Sequence, residues 1–256
     1  MAKIALITGA TAGIGEACAQ LFAKQGYNLI ITGRRTERLR KIHRELTNTY
    51  SIKAQILNMD VRNKTEVKTQ LESLDPEWKA VDVLINNAGL SVGLEPIHEG
   101  NTDDWDTMID TNVKGLLYVS KIVSNWMVER KQGHIINLGS IAGKETYANG
   151  NVYCATKHAV DSLNKAMRID LLPYGIKVTG IHPGAVETEF SEVRFKGDTE
   201  RAKKVYEGYE ALSALDIAET IWFAVSRPAN VNINDLVIMP TAQANTSHLV
   251  RGRGKE

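Results

Sequence analysis

Cysteine is scarce: Cys18 and Cys154 are the only two in 256 residues, with no CxxC and no Cys/His spacing suited to a metal. That argues against a disulfide framework or a structural zinc and points to a reducing, cytoplasmic setting. The six histidines (His43, His98, His134, His158, His182 and His248) stand singly, so none reads as a metal ligand. Charge of one sign is also lacking. Lys and Arg number 31 against 30 Asp and Glu, so no global field draws the chain to nucleic acid or to an anionic membrane. No apolar run approaches the roughly 18–20 residues that span a bilayer. The opening MAKIALITGA meets a glycine too early for a signal peptide and reads as a first strand.

What is present is an ordinary globular composition, 43% hydrophobic and 24% charged, undivided by any linker or repeat. Short β-rich runs at 3–8, 28–32, 53–58, 83–86, 134–138, 177–181 and 236–239 alternate with helical patterns. The central runs are continuously apolar, as in parallel strands covered on both faces. This alternation predicts a single α/β domain over 1–256, a doubly wound parallel sheet with helices on both faces. Thr102, followed by Asp103 and Asp104, suits a helix N-cap with acidic residues in the first turn. The stretch 113–128 (Val113, Leu116, Leu117, Val119, Ile122, Val123, Trp126, Met127) is apolar nearly all round. Such a helix needs cover on more than one side, so a subunit partner is expected there.

The first strand runs into Thr8-Gly9-Ala10-Thr11-Ala12-Gly13-Ile14-Gly15. Glycines let backbone N–H groups approach a pyrophosphate at a helix N-terminus, the arrangement of a Rossmann fold; a plain tight turn is the alternative. About 20 residues further on, a site for NAD would carry an acidic residue against the ribose 2′-hydroxyl. This chain has Arg34 and Arg35 instead, suited to the 2′-phosphate of NADP, although a solvated basic helix start would look the same. Asp60 and Val61 follow the third strand, where the carboxylate can accept from an adenine amino group and the valine can cover the ring; Asp60 as a helix cap is equally open. Asn87, Ala88 and Gly89 follow the fourth strand, with small residues where backbone must pass a cofactor ribose.

Tyr153 and Lys157 lie four apart, on one face of a helix whose Val152, Ala155, Ala159, Leu163 and Ala166 are expected to face inward. A tyrosine ionises near pH 10, too high for a base at neutrality, and an adjacent ammonium lowers that value. Ser140, directly after the fifth strand, stands at the carboxyl edge where it can donate to a substrate oxygen. Cys154 reads as a small buried residue, and His182 as a loop residue at the rim of the site.

In order and across almost the whole chain, TGATAGIG, NNAG, a helical Asn112, Ser140, YCATK and Pro183-Gly184 resemble the short-chain dehydrogenase/reductase family. The resemblance implies that Ser140 orients the substrate oxygen and Tyr153 transfers the proton. It implies that Lys157 binds the nicotinamide ribose, that Asn112 anchors a water relay, and that Pro183, Gly184, Val186 and Thr188 lie over the nicotinamide. The segment 185–212, including TEFSEVRFKG, reads as a substrate lid in which Arg194 can clamp a carboxylate; a solvated amphipathic helix is the alternative. TEFSEVRFKG, PGAVE and PTAQANTSHL resemble the subgroup of homotetrameric NADP-dependent 3-hydroxy acid dehydrogenases, which act on serine, L-allo-threonine and malonic semialdehyde. A 3-oxoacyl thioester reductase and an idle NADP(H) sensor are the alternatives. The segment Lys144-Glu145-Thr146 matches no pattern that sets preference at C4.

Overall fold

The computed structural model describes residues 2–252. Its strands are β1 (Ile4–Ile7), β2 (Asn28–Gly33), β3 (Ala54–Asn58), β4 (Val83–Asn86), β5 (His134–Leu138), β6 (Lys177–Pro183) and β7 (Asp235–Ile238). The α-helices are α1 (Gly13–Lys24), α2 (Thr36–Thr49), α3 (Lys64–Glu72), α4 (Thr102–Ile109), α5 (Leu116–Arg130), α6 (Asn151–Leu171), α7 (Phe190–Arg194), α8 (Thr199–Lys204) and α9 (Ala214–Val225). The strands form one seven-stranded sheet in the order β3-β2-β1-β4-β5-β6-β7, parallel throughout.

Alternate residues of each strand feed opposite cores. Ala5 and Ile7 of β1 join Cys18 and Phe22 of α1, Leu39 of α2 and Ile217 and Ile221 of α9. Ile4 and Leu6 join Val67 and Leu71 of α3, Val119 and Val123 of α5 and Leu171 of α6. With both faces packed, the strands tolerate few polar residues, which is why they read as apolar runs. The connections from β1 and β4 run in opposite directions along the sheet. At that switch point a crevice opens beyond the carboxyl ends of the strands.

Three local expectations need correction. The cap of α4 is Asn101, whose side chain accepts from the Asp103 and Asp104 N–H groups, so Thr102 is the first helical residue. On α6 the buried side chains are Tyr153, Cys154, Thr156, Lys157, Val160, Asp161, Asn164 and Leu171, whereas Ala155 and Ala166 are exposed. The inward face is polar because it carries the site and a buried amide chain, in which Asn137 donates to Asn164 and Asn86 donates to Asn137. Finally, 113–128 opens with a π-helical turn, Asp110–Gly115, and buries Val119, Val123 and Met127 while Leu117 remains 38% exposed.

Candidate active site

The glycine turn is shaped by its backbone. Gly9 and Gly13 have φ of +68° and +54°, a region that side chains with a Cβ rarely adopt. A Cβ on Gly9 would stand 3.0 Å from the Ala88 Cα, and one on Gly13 would stand 3.2 Å from Thr188. Asn87 ties the turns together, donating to Thr8 O at 2.8 Å and to Gly9 O at 3.1 Å. The Thr8 hydroxyl accepts from the backbone N–H groups of Asn87 and Ala88, both at 3.0 Å. Helix α1 begins after Ala12 with no side-chain cap among the described residues. Its first-turn N–H groups therefore remain available to an anion at the positive end of the helix dipole. That donor set fits a dinucleotide pyrophosphate.

Gly9, Thr11, Ala12, Gly13, Ile14, Arg34, Arg35, Asp60, Val61, Asn87, Ala88, Gly89, Ser140, Tyr153, Lys157, Pro183, Gly184, Val186 and Thr188 all line this one crevice. Three expected residues do not. Gly15 lies beneath the turn, where a Cβ would meet Gly9 O at 2.3 Å, so its part is close packing. Asn112 and Arg194 pack against residues that do line it, Asn112 on Leu90 and Arg194 on Tyr153 and Phe190.

At the adenosine end, Arg34 is largely exposed and 3.9 Å from Asp60. The Asp60 carboxylate is gripped by Arg62, whose Nε and Nη2 donate to it at 2.6–3.0 Å. Burial opposes ionisation of Asp60, but the hydrogen bonds and charge of Arg62 outweigh it and hold the carboxyl low. Asp60 does not cap α3; Asn63 does. Arg35 donates from Nε and Nη2 to the Thr11 hydroxyl and from Nη1 to Glu189, at 2.7 Å. The second oxygen of Glu189 accepts from Arg38 at 2.5 Å. Arg38 and Glu189 were not expected from the sequence, since each acquires meaning only from a partner 151 or more positions away. Together they tie the segment after β6 to the start of α2, across the mouth of the crevice.

At the other end, Tyr153 and Lys157 are both almost fully buried on α6. Lys157 Nζ donates to Leu138 O at 2.9 Å and lies 5.9 Å from the Tyr153 ring centroid. Burial pushes its ammonium down to about 8. Burial raises the Tyr153 phenol above its ordinary value, against the charge of Arg194 and a hydrogen bond with Ser140. Ser140 is fixed at the start of a short helical turn, accepting from Ala142 N–H at 3.1 Å. Asn112 sits in the π-helical turn, donating to Leu90 O and to the Thr156 hydroxyl and accepting from Leu90 N–H. Thr156 hydrogen bonds in turn to Tyr153 O, so the π turn is pinned to α6.

Arg194 lies over the rings of Phe190 and Tyr153, at 4.9 and 5.3 Å from their centroids, and donates to the Tyr147 hydroxyl at 3.1 Å. Among the described residues its buried Nε has no hydrogen-bond partner. Tyr147, in the loop before α6, was missed in the sequence; its relation to Arg194 exists only in three dimensions. His182 is not at the rim. It is fully buried, 3.0 Å from Asp235 and 3.7 Å from Asp161. These three residues bring ligand atoms within 4.8 Å of one another, but the Lys144 ammonium already lies 2.6 Å from Asp161 and 3.6 Å from Asp235. Cys154 is buried, as expected, and both cysteines are free. Among the described residues no helix is long and apolar enough to cross a membrane.

Residues 3–199 match the family model described as short chain dehydrogenase. The chain is 49% identical over 243 residues to the NADP-dependent 3-hydroxy acid dehydrogenase of Escherichia coli K12, covering 94% of this chain and 96% of that protein. It is 41% identical over 250 residues to the NADP-dependent 3-hydroxy acid dehydrogenase of Schizosaccharomyces pombe, covering 97% and 96%. Among solved structures it is similar to the closed form of serine dehydrogenase complexed with NADP+, with 47% identity, a TM-score of 0.92 and coverage of 97% of this chain and 99% of that one. The sheet order agrees with these likenesses, and the chain belongs to the short-chain dehydrogenase family.

Proposed function

We propose that this chain is a cytoplasmic NADP-dependent oxidoreductase that interconverts small 3-hydroxy acids of the serine type and their 3-oxo acids, working as a homotetramer. The observation that carries the substrate assignment is Arg194: a guanidinium over the Tyr153 ring, with one buried N–H that has no partner among the described residues. The names of relatives at 41–49% identity point to the same class. A carboxylate two carbons from the reacting hydroxyl suits a cation placed beside the catalytic phenol. The exposed Ala155, Ala166 and Ile169 of α6 and Leu117 of α5 supply the apolar cover for a subunit contact.

Bound NADP+ supplies the acceptor for the hydride leaving C3. The chain's residues do the rest. Arg34 and Arg35 take the 2′-phosphate, and the uncapped start of α1 takes the pyrophosphate. Ser140 donates to the substrate oxygen and Tyr153 accepts its proton. Lys157 holds positive charge beside the phenol and, with Asn112 and Thr156 behind it, links the site to the outside. The segment 185–212, which includes α7 and α8, closes over the substrate.

Oxidation needs Tyr153 deprotonated, so kcat should rise with pH on the alkaline side of neutral; a profile flat from about pH 6 to 10 contradicts the assignment. The substrate class is tested by initial rates with NADP+ against L-serine, L-allo-threonine, 3-hydroxypropionate and 3-hydroxybutyrate. Acetoacetyl thioester with NADPH serves as the contrast. Turnover of the acids is expected, and turnover of the thioester alone would overturn the reading.

A further inference from the structure

We infer that Arg194 acts on Tyr153 itself, as a second cation of the proton-transfer site carried by α7, in addition to its contact with substrate. Its guanidinium carbon is 5.3 Å from the Tyr153 ring centroid, nearer than the Lys157 ammonium at 5.9 Å. It is held there by Phe190, whose ring centroid is 5.6 Å from that of Tyr153, and by the Tyr147 hydroxyl, which accepts from Nη2. The groups facing Tyr153 are Lys157 and Cys154 on its own helix, Ser140 after β5, Tyr147 before α6, Tyr206 after α8 and Arg194 on α7. Of these, Lys157 and Arg194 alone carry positive charge.

The two cations are not equivalent. A guanidinium keeps its proton throughout the working range. The buried ammonium of Lys157, pushed down to about 8, loses its charge as the solution becomes alkaline. Burial opposes the phenolate, and Arg194 is the strongest influence in its favour, ahead of the hydrogen bond from Ser140. Positive charge beside Tyr153 therefore depends on α7 being packed down, which couples closure of the segment over the site to activation of the base. On the 3-hydroxy acid reading there is a further consequence: an incoming carboxylate would oppose the phenolate, and Arg194 neutralises it.

The direct test is a phenolate absorbance titration of the full-length chain, free and loaded with NADP+. The wild type, Arg194→Gln and Arg194→Lys are each compared with the same protein carrying Tyr153→Phe, so that Tyr153 is read against the other seven of the eight tyrosines. Arg194→Gln should move the Tyr153 midpoint up by about one pH unit, roughly tenfold less phenolate at a given pH, and Arg194→Lys should restore most of it. Oxidation of a neutral secondary alcohol, which has no carboxylate to bind, should show the same displacement in the acid limb of kcat. An unmoved midpoint in Arg194→Gln overturns the inference, even if KM for the 3-hydroxy acid rises. A displaced midpoint with an unchanged KM for the acid upholds it and removes the carboxylate assignment instead. Should Arg194→Gln fail to fold, Tyr147→Phe removes only the hydroxyl that holds the guanidinium. It should displace the midpoint in the same direction by a smaller step, and no displacement there overturns the inference.

Discussion

The two ends of the crevice are built from different material. The adenosine and pyrophosphate end rests on the carboxyl ends of β1, β2 and β4 and on the first turns of the long helices α1 and α2. The other end rests on α7, a helix of 5 residues, against which Tyr147 of the loop before α6 packs. The first is fixed by the sheet and by interlocked turns such as Asn87 against Gly9. The second is fixed by ring contacts and by bonds to other loops and short helices: Arg194 to Tyr147, Gly93 N–H to Arg194 O, and Ser191 with Tyr206. On the proposed function, the parts borne by the sheet hold the cofactor, while the short helix and loop select the substrate, as expected where a segment must open and close.

The division can be broken or sharpened by substitution. The largest effect belongs to the group shared by both ends. Tyr153→Phe should cut turnover by roughly a thousandfold or more while NADPH still binds, as measured by fluorescence titration, since it removes the general base. Turnover retained at a tenth of normal would break the mechanism. Arg34→Ala with Arg35→Ala should raise KM for NADP+ by about a hundredfold and alter that for NAD+ little, because only the former carries the 2′-phosphate. Equal losses would refute the assignment. Arg38→Ala removes one ion pair from Glu189 on the cofactor side, and its expected cost is a rise of about three- to tenfold in KM for NADP+ with that for substrate unchanged. Tyr147→Phe, at the other end, should do the reverse, raising substrate KM about threefold and leaving NADP+ unaffected. If either variant moves both constants together, the two ends are not independent.

How far the sequence foretold this follows the same line. Gly9 and Gly13 could be read because their positive φ demands glycine. Arg34 and Arg35 could be read because they stand at a fixed place after a strand. Arg38 could not, since its meaning comes from Glu189 across the crevice. The inward face of α6 is not legible in apolar spacing, which assumes a dry core, whereas Thr156, Lys157, Asp161 and Asn164 are buried there as hydrogen-bonded polar groups. His182 reads as a rim residue because Pro183 follows it. In fact β6 extends through Pro183, and strand alternation turns the imidazole into the protein.

The most direct test of the account compares 3-hydroxybutyrate with its methyl ester, each oxidised with NADP+ by the wild type. The carbon skeleton around the reacting hydroxyl is shared and only the charge is removed. Loss of a partly buried ion pair should lower kcat/KM for the ester by about a hundredfold, and Arg194→Gln should bring the two substrates to within a few fold of each other. An ester oxidised as well as the acid by the wild type would contradict the assignment of this site to 3-hydroxy acids.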